Sequence, residues 1–167
     1  MTPLATDLLL MFRRELRCLI REVELFPDDA TLWRTVPGIT NSAGNLALHL
    51  AGNLQHFVGA VLGATGYMRQ REREFAQREG TRASVIADLE ATIAAVEAGL
   101  AALPAEVQTA TFPAPVGPYR PPTGIFLMHL ATHLAFHLGQ VGYLRRTLTG
   151  DPASAGGMSV ADLLENR

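Results

Sequence analysis

TGIFLMHLATHLAFHLGQVGYLRRTLT, residues 123–149, is the stretch from which the fold follows. It contains no proline. Pro121 and Pro122 precede it, and Gly150, Asp151 and Pro152 close it with the stop signals of one long helix. Thr123 stands where a cap for the first turn is needed. At about 1.5 Å per residue, a helix of this size spans on the order of 30 to 40 Å and needs partners of similar length to cover it.

Three such partners precede it. From Leu4 to Phe26, the residues Leu8, Leu9, Phe12, Leu16, Leu19, Ile20 and Val23 recur at helical spacing. Arg14, Arg17, Arg21 and Glu24 fall mostly on the opposite side, and Pro27, Asp28 and Asp29 stop the run. Pro27 to Thr40 reads as a connection. A second helix starts near Asn41 or Ser42, either of which caps a first turn, and runs through Leu46, Leu50, Leu54, Phe57 and Val61 to about Gly63. Between Gly63 and Gly80 charge rises and apolar periodicity fades, as in an exposed connection with room for some helix. Arg69, Arg71 and Arg73 are interleaved there with Glu72, Glu74 and Glu79, the composition of a solvated, salt-bridged surface. A third helix runs from Thr81 or Ser84 to Leu103, with Val85, Leu89, Ile93, Val96 and Leu100 along one face, and Pro104 ends it. Pro113, Pro115, Gly117, Pro118 and Pro121 then rule out regular structure over most of the loop before the fourth helix. That loop has the character of a lid or pocket rim, on which Tyr119 and Arg120 are candidate ligand contacts. Four segments of comparable length predict an all-α four-helix bundle. It occupies residues 1–150 as a single domain, and residues 151–167 form a tail with at most a short turn of helix.

Composition limits what such a bundle does. Of 167 residues 48% are hydrophobic and 18% charged, enough apolar surface for a packed core without staples. The net charge is -2 and the basic residues are all arginine, which argues against a dedicated nucleic-acid interface. Asp7, Arg13, Arg14, Glu15 and Arg17 interrupt the first apolar stretch, so it reads neither as a signal peptide nor as a membrane span. Cys18 is the lone cysteine, which excludes an intrachain disulfide and a thiolate cage and suits a reducing cytoplasm. It reads as an inert packing residue.

All five histidines lie on two of the helices: His49 and His56 on the second, His129, His133 and His137 on the fourth. A separation of four positions puts two imidazoles about 40° apart and one turn up, so they can converge on one ion. His133 with His137, and His129 with His133, both satisfy this. His129 and His137 are about 12 Å apart along the axis and cannot share an ion. His49 and His56 are displaced by about 10 Å, so only one of them is level with a given pair. Three neutral imidazoles that leave a coordination position open are the donor set of a catalytic zinc or nickel site. The zincin pattern is excluded because Leu130 and Leu134 follow His129 and His133, where it requires glutamate. The ferritin-like pattern is excluded because no histidine has glutamate three residues before it.

The run His133-Leu134-Ala135-Phe136-His137-Leu138-Gly139-Gln140 resembles the carboxy-terminal signature of the DinB/YfiT superfamily of metalloenzymes, H-x-x-x-H-R-G-Q. The family's isolated histidine of the second helix is matched within Asn41-Ser42-Ala43-Gly44-Asn45-Leu46-Ala47-Leu48-His49-Leu50. The resemblance implies a bundle of up-down-down-up topology, one divalent ion, zinc or nickel, held by His49, His133 and His137, and a homodimer. His56 and His129 then stay outside the ligand set. Leu138 departs from the family's arginine. Gln140 matches it and lies on a face near His137, where it could orient a ligand; Asn45 and Asn53 bracket His49 at one-turn intervals.

Members of the superfamily with assigned activities imply a thiol-dependent transferase. Such an enzyme conjugates a small-molecule thiol of the bacillithiol or mycothiol type to a small electrophile and needs no cysteine of its own. Two alternatives stand beside this. One is metal-dependent hydrolysis, which the sequence disfavours because no carboxylate accompanies the ligands as a general base. The other is a non-catalytic, stress-associated metal-binding or interaction protein. Neither nucleic acid nor membrane is an expected partner.

Overall fold

The Thr2 hydroxyl accepts from the Ala5 amide at 3.3 Å, and Pro3 fills a first-turn position that needs no amide partner; together they start α1, Pro3–Glu24. In this computed structural model, which describes residues 1–164, helices account for nearly all regular structure and no strand occurs among the described residues. After α1 comes α2, Asp29–Leu32, a single turn within the segment expected to be plain connection. Asp28 caps it through the Thr31 amide at 2.7 Å. The long second helix is α3, Ala43–Leu54, which continues through a π-helical segment, Gln55–Ala60, into α4, Val61–Gly63. Then follow α5, Arg71–Ala76, α6, Arg82–Ala101, and, after a 3-10 turn at Ala105–Gln108, α7, Thr123–Thr149 and α8, Val160–Leu164. None of the described helices is long and apolar enough to cross a membrane.

Named contacts fix how the four long segments run. Glu22 of α1 meets Arg145 of α7, and Leu4 lies beside Gly124, so these two helices are parallel. Arg82 at the start of α6 donates to the Phe26 carbonyl just after α1, so α6 is antiparallel to α1. Gly59 and Gly63 lie against Ala95 and Gly99, which places the carboxy-terminal ends of the second and third long helices together. Phe57 faces Phe126 and His49 faces His133 and His137, so α3 is antiparallel to α7. Phe12, Leu16, Leu50, Leu54, Leu89, Leu100, Leu127 and Leu134 fill the common core.

Where the π-helical segment and α4 cross α6 the backbones touch. A Cβ built on Gly99 would collide with the Val58 carbonyl oxygen, and one on Gly63 would come within 2.8 Å of the Gly99 Cα. Backbone on both sides leaves nothing flexible to yield. Alanine is the better helix former by about 1 kcal/mol, but overpacking of this kind costs about 1–3 kcal/mol or more. Gly99→Ala is therefore expected to lower the unfolding free energy, read as a reduced urea midpoint; an unchanged or raised midpoint contradicts the close approach.

Two expectations need correction. Thr123 does not cap α7. Pro122 occupies the cap position with no side-chain bond, and the Thr123 hydroxyl instead donates to the Ala110 carbonyl at 3.0 Å, pinning the proline-rich loop to the helix. The polar side of α1 is not solvated throughout either. Arg14 is buried where the segment after α7 lies across α1, and Glu15 and Glu22, seven residues apart on the flank of the apolar stripe, are buried as well, Glu22 against Arg145 of α7. Arg21 and Cys18 both donate to the Ala155 carbonyl, at 2.7 and 3.4 Å, and Arg14 reaches the Ser159 carbonyl at 3.4 Å. Residues 151–164 are thus a strap over the bundle; residues 165–167 of the predicted tail lie outside the described residues.

Candidate metal centre

The centre begins at the cap of α3. The Ser42 hydroxyl accepts from the Asn45 amide at 3.1 Å, and the Asn45 side-chain oxygen accepts from the Ser42 amide at 3.2 Å, a reciprocal box that fixes the first turn. Asn45 Nδ2 also donates to the carbonyls of Glu74 and Gln77, at 3.0 and 2.8 Å, and so ties α5 to α3. His49, one turn further on, is buried, at 8% exposure.

Opposite it, the antiparallel α7 presents His133 and His137. His49 Nε2 and His133 Nε2 are 3.3 Å apart. Ring centroids lie 5.2 Å apart for His49 and His133, 5.4 Å for His49 and His137, and 4.6 Å for His133 and His137, each pair close to perpendicular. One ring nitrogen from each of the three lies within 4.8 Å of the others. Two imidazole nitrogens bound tetrahedrally at zinc distances would be about 3.3 Å apart. The closest pair already matches that spacing, and the widest needs only a modest contraction. The donor set fits a divalent ion.

Partners on the far nitrogens favour the same arrangement. His137 Nδ1 donates to Gln140 Oε1 at 2.6 Å, so Gln140 orients this ring. His49 Nδ1 lies 3.0 Å from Glu74 Oε2. Burial, followed by the neighbouring imidazoles and Arg69, lowers the His133 pKa to about 4, which keeps the ring in the neutral form that binds metal.

Glu74 and Arg69 are the participants that sequence reasoning missed. Far from lying on a solvated surface, Glu74 is buried, and Arg69 grips it with Nε to Oε1 at 2.7 Å and Nη2 to Oε2 at 2.8 Å. Burial opposes ionisation of the Glu74 carboxyl, yet the hydrogen bonds from Arg69 and His49 outweigh it and hold the group below the ordinary carboxylate value. A carboxylate does accompany one of the candidate ligands, on the side of the ring turned away from the other two. No motif separates Glu74 from Glu72 or Glu79 along the chain; only the packing of α5 on α3 selects it.

The remaining candidates separate clearly. His129 is exposed, stacked at 6.0 Å on Phe126 and on His133, and is outside the three-histidine cluster. His56 sits in the π-helical segment beside Phe57, its pKa lowered by burial and by Arg69. Asn53 is buried, and its Oδ1 has no partner among the described residues. Leu138, where the family signature carries arginine, is packed in the core. Tyr119 is 72% exposed at the tip of the proline-rich loop and Arg120 is exposed beside it, so neither reaches the cluster. The same loop contributes Phe112 instead, which packs edge-on against Phe57 and Phe126 to wall one flank. On the other flank His137 and Gln140 border a largely apolar cleft of about 510 Å³, shared with Val36, Ile39, Leu46 and Tyr143.

The family model described as DinB superfamily matches residues 11–141, a range that includes all three clustered histidines. No curated protein matches the chain.

Proposed function

The chain belongs to the DinB superfamily, and from that premise we propose that it is a cytoplasmic, divalent-metal-dependent S-transferase that joins a small-molecule thiol to a small electrophile. His49, His133 and His137 hold the ion, zinc or nickel. The observation that carries this reading is the convergence of three imidazole nitrogens within 4.8 Å, two of them with their far nitrogens engaged by acceptors. Three neutral donors leave the positive charge of a divalent ion uncompensated, so when bound it would lower the pKa of a ligating thiol.

The residues of the chain support a thiol supplied from outside. Cys18 is fully buried, donates to the Ala155 carbonyl, and has its pKa raised chiefly by burial, so it is no nucleophile. Glu74 is committed to Arg69 and His49, which leaves it poorly placed to activate a water as hydrolysis would require. In the transfer, the thiolate sulfur bonds to the electrophilic carbon, the leaving group departs with the bonding pair, and the thiol proton passes to solvent. The cleft beside His137 and Gln140 offers apolar walls to the body of a small substrate.

A panel of low-molecular-weight thiols with a chromogenic aryl halide tests the proposal. Turnover is expected only with both metal and added thiol present, and to disappear in His137→Ala. Metal-dependent turnover of ester substrates without thiol would overturn it in favour of hydrolysis. Metal binding without either activity would favour a non-catalytic role.

A further inference from the structure

We infer that Glu74 decides which nitrogen of His49 is free to bind a metal, against the opposing influence of Arg69, and that residue 52 is glycine so that this carboxylate can reach the ring. The inference rests on the reading of His49 as a ligand. It assigns positioning roles to residues that the family signature does not include.

His49 Nδ1 has two neighbours of opposite character: Glu74 Oε2 at 3.0 Å and Arg69 Nη2 at 3.2 Å. A carboxylate only accepts hydrogen bonds and a guanidinium only donates them. With Arg69 alone, Nδ1 would accept, and the ring proton would move to Nε2, the atom that faces His133 Nε2 at 3.3 Å. That tautomer cannot ligate there. With Glu74 in place Nδ1 keeps the proton and Nε2 presents its lone pair to the other two histidines. Glu74 also binds the guanidinium through both of its oxygens, so Arg69 is held as a support. The Arg69 and Glu74 side chains are 12% and 7% exposed, so little water competes for these contacts.

The chain builds this arrangement from three directions. Asn45 holds the Glu74 and Gln77 carbonyls from the first turn of α3. Arg69 approaches from the connection before α5. Gly52 lies three residues after His49, hence on a neighbouring part of the same helix, and a Cβ there would collide with Glu74 Oε1. Any side chain at position 52 displaces the carboxylate without altering a charge.

The experiment pairs nitrogen NMR of the imidazoles in metal-free protein with zinc affinity from chelator competition. In the unmodified protein the His49 proton is expected on Nδ1; in Glu74→Gln it moves to Nε2, and zinc affinity falls about 10- to 100-fold. Adding Arg69→Met to Glu74→Gln removes the competing donor and is expected to restore most of that loss. Gly52→Ala is expected to weaken zinc binding about tenfold while every charged residue is retained. A proton on Nε2 in the unmodified protein, or zinc affinity in Glu74→Gln within about threefold of the original, overturns the inference. A double variant no better than Glu74→Gln overturns the competition with Arg69, and unchanged affinity in Gly52→Ala overturns the role of the glycine. Should Glu74→Gln fail to fold, the glycine variant and the spectrum of the unmodified chain still decide. Absence of zinc binding by the unmodified protein would defeat the proposed function instead, and the tautomer would still be read from the metal-free spectrum.

Discussion

His49→Ala and His137→Ala are each expected to bind zinc more than about 100-fold more weakly than the unmodified protein, beyond the usual effect of losing a supporting partner. His56→Ala and His129→Ala should retain about one ion per chain. The contrast follows from where the side chains lie. His49 and His137 offer nitrogens that lie within 4.8 Å of each other and of one on His133, their ring centroids are 5.4 Å apart, and two remaining imidazoles cannot hold an ion as three do. His129 is one turn from His133 with the spacing of a ligand pair, yet it is exposed and stacks on Phe126. His56 lies beside Phe57 in the π-helical segment. Elemental analysis of protein purified without a histidine tag reads the outcome directly. Metal retained in His49→Ala but lost in His129→Ala would reverse the ligand assignment.

Glu22→Ala is expected to destabilise the fold by about 3–5 kcal/mol, the cost of leaving a buried charge without its partner. Arg145 is 0% exposed, and its Nε donates to Glu22 Oε2 at 2.5 Å. Its remaining donors go to the carbonyls of Asp151, at 3.2 Å, and Ala153. One guanidinium thus joins α1, α7 and the strap that follows α7. Removing the carboxylate leaves that cation in the core, with Asp151 Oδ2 at 3.8 Å as its remaining, distant counter-charge among the described residues. For a chain of this size the loss corresponds to a melting temperature lower by roughly 6–20 °C. Replacing both members, Glu22→Met with Arg145→Met, should cost less than Glu22→Ala alone, because no buried charge is then stranded. Urea unfolding of the three proteins checks the ranking; a loss below about 1 kcal/mol for Glu22→Ala would show that the pair is effectively solvated.

Both predictions involve α7, and α7 was the element most legible in the sequence. Between Pro122 and Gly150 nothing interrupts helical periodicity, and the helix observed spans Thr123–Thr149 as read. The other long helices were legible for the same reason, each lying between proline, glycine or a capping residue. The histidines were legible as a set but not singly. Spacing left His49 or His56, and two pairs on α7, equally open; the family signature selected His49, His133 and His137, and these are the three that the fold brings together.

What escaped the sequence reading depends on contacts between distant segments. Glu74 sits among arginines and other glutamates, and a mixed-charge stretch looks solvated until α5 is packed on α3. Arg14 falls on the polar side of an amphipathic helix and is buried by the strap that crosses α1, whereas Glu15 and Glu22 interrupt the apolar stripe, and Glu22 is buried against Arg145 of α7. The single turn of α2 is too short for periodicity to reveal. The π-helical segment Gln55–Ala60 accompanies the tight crossing of Val58 and Gly99, which local composition does not announce.

The coordination of the ion is the most direct readout of the three-histidine centre. X-ray absorption of the zinc-loaded protein is expected to show three imidazole nitrogens at about 2.0–2.1 Å together with a further light-atom or added-thiol ligand. Fewer than three imidazoles, or a sulfur ligand when no thiol has been added, would contradict it.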